Sequence, residues 1–417
     1  MKEIIKNSCI NEFDPNALEE IQAINKIIKV IKPNKSSEKV NIKDALHRTI
    51  SSSVRASINV PSFKNSAMDG YAINLHDLKL NKFKLSEIGV SFAGKPFRSS
   101  LRKGGTVRVM TGALIPKNAD AVIMKEMVSK EGIYINFPQN IKKNQNIRFA
   151  GEDIKKGETV FKQGDELDFS GLSILSSLGI EYVDVFCKPK VSYFSSGDEL
   201  VATGKKLQQG QIYDSNRYLL HGLLKDLPVV FTDLGIVKDK KLHLVNKLRR
   251  ASEKSDIIIT TGGVSVGDAD YIKDALNEVG SVGFWKIAIK PGRPLAFGKI
   301  NDSYFFGLPG NPVSAAVTFQ LFVIPAINRL LSQKRKKMIL IKAISKNKLK
   351  KKPGRTEYKR AILSTINNKT YVETTGLQGS NIMMSMLKAN CYIRLSADIS
   401  NVSKGDIVEI IPFSTKF

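Results

Sequence analysis

The strongest constraint on the fold lies between residues 190 and 330, where apolar runs of four to six residues alternate with helix-length segments. That alternation is the sequence form of βαβ units, and a parallel sheet built from them must be covered on both faces. Val191–Phe194, Val229–Phe231, Asp256–Ile259 and Tyr304–Phe306 are the expected strands. Helices are expected over Arg217–Lys225, Leu242–Glu253, Tyr271–Glu278 and Pro312–Leu331. At 417 residues the chain exceeds one simple core, so this region is one part of an α/β multidomain protein.

The flanks read differently. Asp14-Pro15 followed by Leu18, Ile21, Ile24, Ile28 and Ile31 combines an N-cap, a helix-opening proline and apolar spacing of three to four, which predicts an opening amphipathic helix. From about 60 to 150, short alternating runs such as Thr106–Met110 and Ala121–Met124, broken by Gly, Pro and Asn, predict a small β domain. Helical spacing returns at Phe169–Leu178 and stops at Gly179. The tail again shows short strands and turns. The expected division is therefore a helical scaffold from 1–59 and 150–187, a β domain over 60–149, the α/β domain with a mainly parallel sheet over 188–333, and a second small β domain over 334–417.

Lys plus Arg outnumber Asp plus Glu by 65 to 39, a net charge of +26, so the surface attracts anions. The run Lys334–Arg360 holds 13 Lys or Arg and one acid, Glu357, which keeps an RNA-binding reading open. Against it, no RNP1 motif occurs. Three scattered cysteines argue against disulfides and thiolate zinc, and the four histidines form no ligand cluster. A metal would be a hard cation on oxygens, with magnesium favoured over zinc. No leader pattern or apolar stretch near the roughly 18 residues of a spanning helix is expected, so the default location is cytoplasmic and no membrane partner is implied.

Three loops follow expected strands and should gather at the carboxyl ends of the sheet. Ser195-Ser196-Gly197-Asp198-Glu199 offers hydroxyls, a glycine and acids. The segment Thr260–Tyr271, with Gly262, Gly263, Ser265 and Gly267, lets backbone amides approach an anion before a helix N-terminus, although tight-turn packing explains such a loop equally well. The third, Leu308-Pro309-Gly310-Asn311-Pro312, is a stiff turn. Neither GxxxxGK[ST] nor GxGxxG is present. If Phe284–Ile289 is a strand, Lys286 and Lys290 share a face, with Arg293 close behind, and suit an oligo-anionic ligand; surface solvation is the plainer alternative. Glu199, Asp214, Asp239, Asp268 and Asp270 are candidates for magnesium-assisted phosphoryl chemistry, with helix capping as the competing role.

SAMDGYA from Ser66, VRVMTGA ending at Ala113, NIRFAGEDI from Asn146, FSSGDEL, QIYDSN, GGVSVGDADY, FWKIAIKPGRP and GLPGNPVSA occur in an order and spacing that resembles the MoeA family of molybdopterin molybdenumtransferases, related to the C-terminal part of gephyrin. The resemblance runs from about residue 10 to the end. It implies a homodimer with the site at the subunit interface and a central α/β domain of the molybdopterin-binding fold shared with the preceding adenylyltransferase, with which transient contact is implied. The implied substrates are adenylylated molybdopterin and molybdate, with Mg2+ assisting diphosphate cleavage and AMP released. By motif match, Asp69, Thr111, Arg148 and Asp153 should face Glu199, Asp239, Asp270, Lys286 and Lys290 across that interface. In roles, Glu199 and Asp270 would position the cation, Lys286 and Lys290 would stabilise anionic charge, and Asp69 with Asp153 would orient metal insertion. Ser196, Gly197, Asp214, Gly262, Gly263, Ser265, Gly267, Arg293, Pro309 and Pro312 would shape substrate binding. Two stretches depart from the pattern: Phe149-Ala150, where members often carry a base, and Asn381, where a histidine is frequent. A molybdopterin scaffold without turnover keeps the same fold and differs only in producing no AMP.

Overall fold

The structure is a computed structural model and describes residues 16–263, 271–334 and 338–413. The chain forms two compact units, one comprising residues up to 38, 47–49 and 186 onward, the other 39–46 and 50–185.

In the larger unit, six strands make one sheet: β1 Lys190–Ser196, β2 Val230–Val237, β3 Ile257–Thr261, β4 Ser281–Lys286, β5 Pro294–Ile300 and β6 Ser303–Leu308, in the order β2-β1-β3-β6-β5-β4. The first four in that order are parallel, and β5 and β4 extend the sheet antiparallel. Alternation assigns each side chain a face: Ile257 and Ile259 join one core while Ile258 joins the other, and Tyr304 and Phe306 oppose Phe305 in the same way. One face is covered by α1 Glu20–Val30, α2 Ser215–Lys225 and the helical stretch 312–330, the other by α3 Lys241–Ser252 and α4 Tyr271–Val279. Each fully buried Ile or Phe in these layers contributes about 1.5–3 kcal/mol of transfer free energy.

Three expectations change. The opening helix begins at Glu20, its cap position Glu19 making no side-chain cap, while Asp14 and Pro15 lie outside the described residues. Leu18 is instead extended, donating its N–H to the Lys286 carbonyl and bridging Ile287. The strand expected through Ile289 ends at Lys286; Ile289–Lys290 is a separate short strand paired with Thr356–Glu357. Residues 312–330, α5 Pro312–Thr318 and α6 Ile324–Leu330 joined by a wider turn over Phe319–Val323, are by length and composition apolar enough to cross a membrane, contrary to the sequence expectation. Since 72% of that stretch is buried inside the protein, it has the character of a core helix.

The tail forms a small barrel. Strands Thr356–Ile366, Lys369–Thr374, Ile341–Ser345, Ile407–Pro412 and Cys391–Leu395 pair in that order, and the last pairs back with the first. Its interior is Ala343, Leu349, Val372, Cys391, Ile393 and Ile410.

The second unit carries a six-stranded sheet over residues 70–136, with Tyr71, Ile73, Leu85 and Ile123 in one core and Ala72, Val107 and Val122 in another. It also holds the helix Phe169–Ser177, capped by Asp168, whose Oδ1 accepts the Ser170 hydroxyl at 2.6 Å and the Gly171 N–H at 2.8 Å, and these two donors hold the carboxyl below the usual range.

Candidate active site

Where β1 has neighbours reached in opposite directions, β2 on one side and β3 on the other, the connecting loops separate and leave a crevice at the carboxyl ends of the strands. A cleft of about 720 Å³ occupies this place. Ser196 at the end of β1, Glu199 just beyond it, Asp239 after β2, Gly262 and Gly263 after β3, and Pro309 and Pro312 after β6 all line it, with Asp214 at the start of α2. Gly197 lies between Ser196 and Glu199, and a Cβ there would fall 2.6 Å from the Glu199 carboxylate.

Backbone proximity builds the floor. Gly262 has φ +89°, and an added Cβ would sit 2.5 Å from the Ser196 carbonyl, so only glycine lets the β1 and β3 loops approach this closely. The Ser196 hydroxyl donates to Asp239 Oδ1, and the Asp239 N–H reaches Asp198 Oδ1 at 3.3 Å. Opposite, Asp214 caps α2 by accepting the Arg217 N–H at 3.1 Å, and the Asn216 amide donates to the Gly310 carbonyl at 2.7 Å, which ties α2 to the proline-rich turn.

The cleft also holds acceptors left over. Asp214 is 3% exposed and Asn216 9%, yet Asp214 Oδ2 and Asn216 Oδ1 have no hydrogen-bond partner among the described residues. Buried polar atoms are nearly always paired, and leaving one unpaired costs about 1–3 kcal/mol. Two such acceptors in one cleft suit a ligand that brings N–H or O–H donors.

Other sequence candidates fall elsewhere. Asp270, Ser265 and Gly267 lie outside the described residues, as does Asp268. Lys286 ends β4, and Lys290 stands 3.4 Å from Glu357 on the adjoining barrel strand; Arg293 accepts the Ile287 N–H through its carbonyl. None of these three is among the residues lining the cleft.

In the second unit, the loops at 65–69, 110–114 and 146–148 are hydrogen-bonded to one another: the Gly112 N–H donates to the Ser66 carbonyl, the Ala67 N–H to Asn146, and Ile147-Arg148 pair with Ser66-Asn65. Asp69 and Thr111 meet there. The Thr111 backbone N–H and hydroxyl both donate to Asp69 Oδ1 at 2.8 Å and hold that carboxyl below its usual range. Asp153 follows the same segment at a second point, its N–H donating to the Val60 carbonyl.

Asn216, Asn311 and Thr261 were not among the sequence candidates, and Asn381 stood there only as a departure from the family pattern, yet all four line the cleft. Asn216 sits in QIYDSN, where Asp-Ser-Asn before an apolar run announces a helix start, so a cap was legible and an orphaned acceptor was not. Asn381 arrives from the barrel region, held by the Ser380 carbonyl accepting the Val313 N–H, a contact no local spacing signals.

The basic run, by contrast, is partly internal. Arg360 is 1% exposed and donates to Ser385 Oγ at 3.0 Å and to the Gly379 carbonyl at 2.9 Å. Lys351 points its ammonium at three backbone carbonyls, and Glu357 is buried between Lys290 and Lys359. These groups are occupied in holding the barrel, which removes part of the support for an RNA-binding face.

An open, doubly covered α/β sheet with an acceptor-lined cleft where the connections from β1 run in opposite directions has the form of a small-molecule-binding α/β domain. Comparison with known proteins narrows the class. Residues 16–179 match the model of the MoeA N-terminal region (domain I and II), 194–329 that of the "Probable molybdopterin binding domain", and 342–413 that of the MoeA C-terminal region (domain IV). Molybdopterin molybdenumtransferase of Haemophilus influenzae is 45% identical over 94% of this chain and 98% of that protein. Gephyrin of Dictyostelium discoideum is 32% identical over 91% of this chain and 60% of its own length. The crystal structure of the molybdopterin biosynthesis MoeA protein from Pyrococcus horikoshii superposes with a TM-score of 0.82 at 28% identity, covering 95% of this chain and all of that one. The chain belongs to the MoeA family of molybdopterin molybdenumtransferases, and its role is in molybdenum cofactor biosynthesis.

Proposed function

We propose that this protein transfers molybdenum from molybdate to adenylylated molybdopterin, releasing AMP, with the α/β cleft as the seat of the reaction. The observation that carries the reading is the pair of buried, unpartnered acceptors, Asp214 Oδ2 and Asn216 Oδ1, in the same cleft as Ser196, Glu199, Asp239 and two glycine-rich turns. A pterin is rich in N–H donors, and the glycine amides suit its phosphates. Full-length similarity to the Haemophilus influenzae transferase supports the same substrate class.

Magnesium belongs to this reading. Among the described residues no three metal-binding side chains cluster. Magnesium on a diphosphate, however, uses one or two carboxylates and fills its shell with phosphate oxygens and water. Glu199 and Asp239, with Asp270, fit that donor set; bound there, the ion supplies charge neutralisation on the diphosphate. Lys286 and Lys290 add positive charge for phosphate or molybdate, and the Asp69–Thr111 pair with Arg148 and Asp153 completes the site from the other subunit of a cytoplasmic homodimer. A passing encounter with the adenylyltransferase delivers the substrate.

The test is incubation of the full chain with adenylylated molybdopterin, magnesium and molybdate, following AMP and protein-bound molybdenum together. Coupled appearance of both, lost in Glu199→Gln, is expected. Tight binding with no AMP from the unsubstituted protein would replace the transferase by a molybdopterin scaffold. Salt-sensitive RNA binding in place of pterin binding would overturn both.

A further inference from the structure

We propose that Arg217 and Asp233, which do not line the cleft, are a positioning pair that couples its two walls, an inference that rests on the transferase reading for its kinetic consequence. Arg217 is the third residue of α2. Its backbone N–H is the donor that Asp214 caps, so its position governs the turn that presents Asp214 and Asn216. Its guanidinium leaves that turn and reaches β2, where Nε donates to Asp233 Oδ2 at 2.6 Å. Both side chains are only about a quarter exposed, at 27% and 28%, so the contact is shielded from full solvent screening.

Asp233 has a second duty on β2. Its Oδ1 accepts the Gly235 N–H at 2.8 Å, and Gly235 takes φ +77°. There the pairing between β1 and β2 changes: Tyr193 lies opposite Asp233, but Ser195 lies opposite Ile236 and Ser196 opposite Val237. One extra residue has been taken into β2. Because side chains alternate along a strand, a one-residue change of register reverses which face each presents. The bulge therefore decides that Asp239, just beyond the strand, meets the Ser196 hydroxyl.

The surroundings fix the carboxylate as well. Tyr193 is fully buried, and burial together with the neighbouring Asp233 charge holds its phenol protonated far above the usual range. His221 Nδ1 lies 3.4 Å from the same hydroxyl. One carboxylate thus ends the bulge, receives the guanidinium and faces the phenol. Through it, the acceptor wall of Asp214 and Asn216 and the hydroxyl wall of Ser196 and Asp239 are held in one frame.

Arg217→Gln, Asp233→Asn, the double variant and the charge-keeping Arg217→Lys are compared in the full chain by two measurements. Hydrogen–deuterium exchange over residues 214–220 and 234–241 needs no substrate. Arg217→Gln should speed exchange in 234–241, an element it does not belong to, as well as in its own. In AMP release, each single substitution should lower kcat/KM about tenfold, the double variant should be no worse than the poorer single, and Arg217→Lys should recover most of the loss. Exchange confined to the substituted element, losses that multiply in the double variant, or unchanged kcat/KM alongside a lowered Tm would each overturn the coupling. Absence of AMP from the unsubstituted protein would instead overturn the transferase reading, and the exchange data would still decide whether the two walls are joined.

Discussion

The C-terminal barrel and the α/β cleft treat buried polar groups in opposite ways. In the barrel, Arg360, Lys351 and Glu357 are nearly fully buried and have their hydrogen-bonding capacity engaged by carbonyls, a hydroxyl and opposite charges. In the cleft, Asp214 and Asn216 are as deeply placed, but each keeps an acceptor with no partner among the described residues. The barrel's three buried charges are spent on its own backbone and side chains, whereas the two cleft acceptors face a cavity in which a ligand's donors can reach them. Charge alone would have pointed to the barrel region, where Lys and Arg are densest, yet two of those cations, Lys351 and Arg360, are buried and engaged within it.

Substitutions should separate the two regions. The largest effect is expected for Arg360→Met, which strands the Gly379 carbonyl, Ser385 and the turn leading to Asn381; a loss of about 3 kcal/mol should appear as a lower urea midpoint. Tyr358→Phe comes next. The Tyr358 hydroxyl donates to the buried Glu20 carboxylate at 2.5 Å, and its removal should cost about 1–3 kcal/mol in the same assay. Asp214→Asn sharpens the contrast, because asparagine caps a helix nearly as well but turns an acceptor into a donor. Stability should change by less than about 0.5 kcal/mol while calorimetric affinity for molybdopterin falls about tenfold.

The smallest effect belongs to Thr111→Val, which removes one of two hydrogen bonds to an exposed carboxylate. The Asp69 pKa, now depressed, should rise toward 3.8, as read by NMR titration. A depressed folded pKa gives stability that is present above the unfolded value and lost as pH falls through the folded one. In the variant that loss should therefore still begin near 3.8 but be smaller and complete at a higher pH, because the folded pKa has moved toward the unfolded one.

Much of this is legible in the amino-acid sequence. The βαβ alternation placed β1, β3 and β6, and with them the three loops, because each strand is a short apolar run ending in turn-forming residues such as Ser-Gly, Gly-Gly and Pro-Gly. Eight candidates, carried by those loops, the turn after β2 and the α2 start, among them Glu199, Asp239 and Asp214, do converge. What escaped depended on partners distant in sequence. Leu18 leaves the helical pattern because its backbone pairs with Lys286 and Ile287, and Ile289–Lys290 breaks from β4 because the barrel strand at Thr356 offers it hydrogen bonds. Periodicity reports only neighbours along the chain. The register change at Gly235 was hidden for the same reason, since a glycine in a strand does not announce which face its successors will take.

The central claim is that the cleft at the ends of β1, β2 and β3 is where the nucleotide is released. Single-turnover AMP release from adenylylated molybdopterin, with magnesium and molybdate, tests it most directly when the parent chain is set beside Glu199→Gln and Asp239→Asn at matched folded concentration. The account predicts AMP with bound molybdenum from the parent and a rate lower by at least about a hundredfold in both variants. Release at the parental rate from both would contradict it.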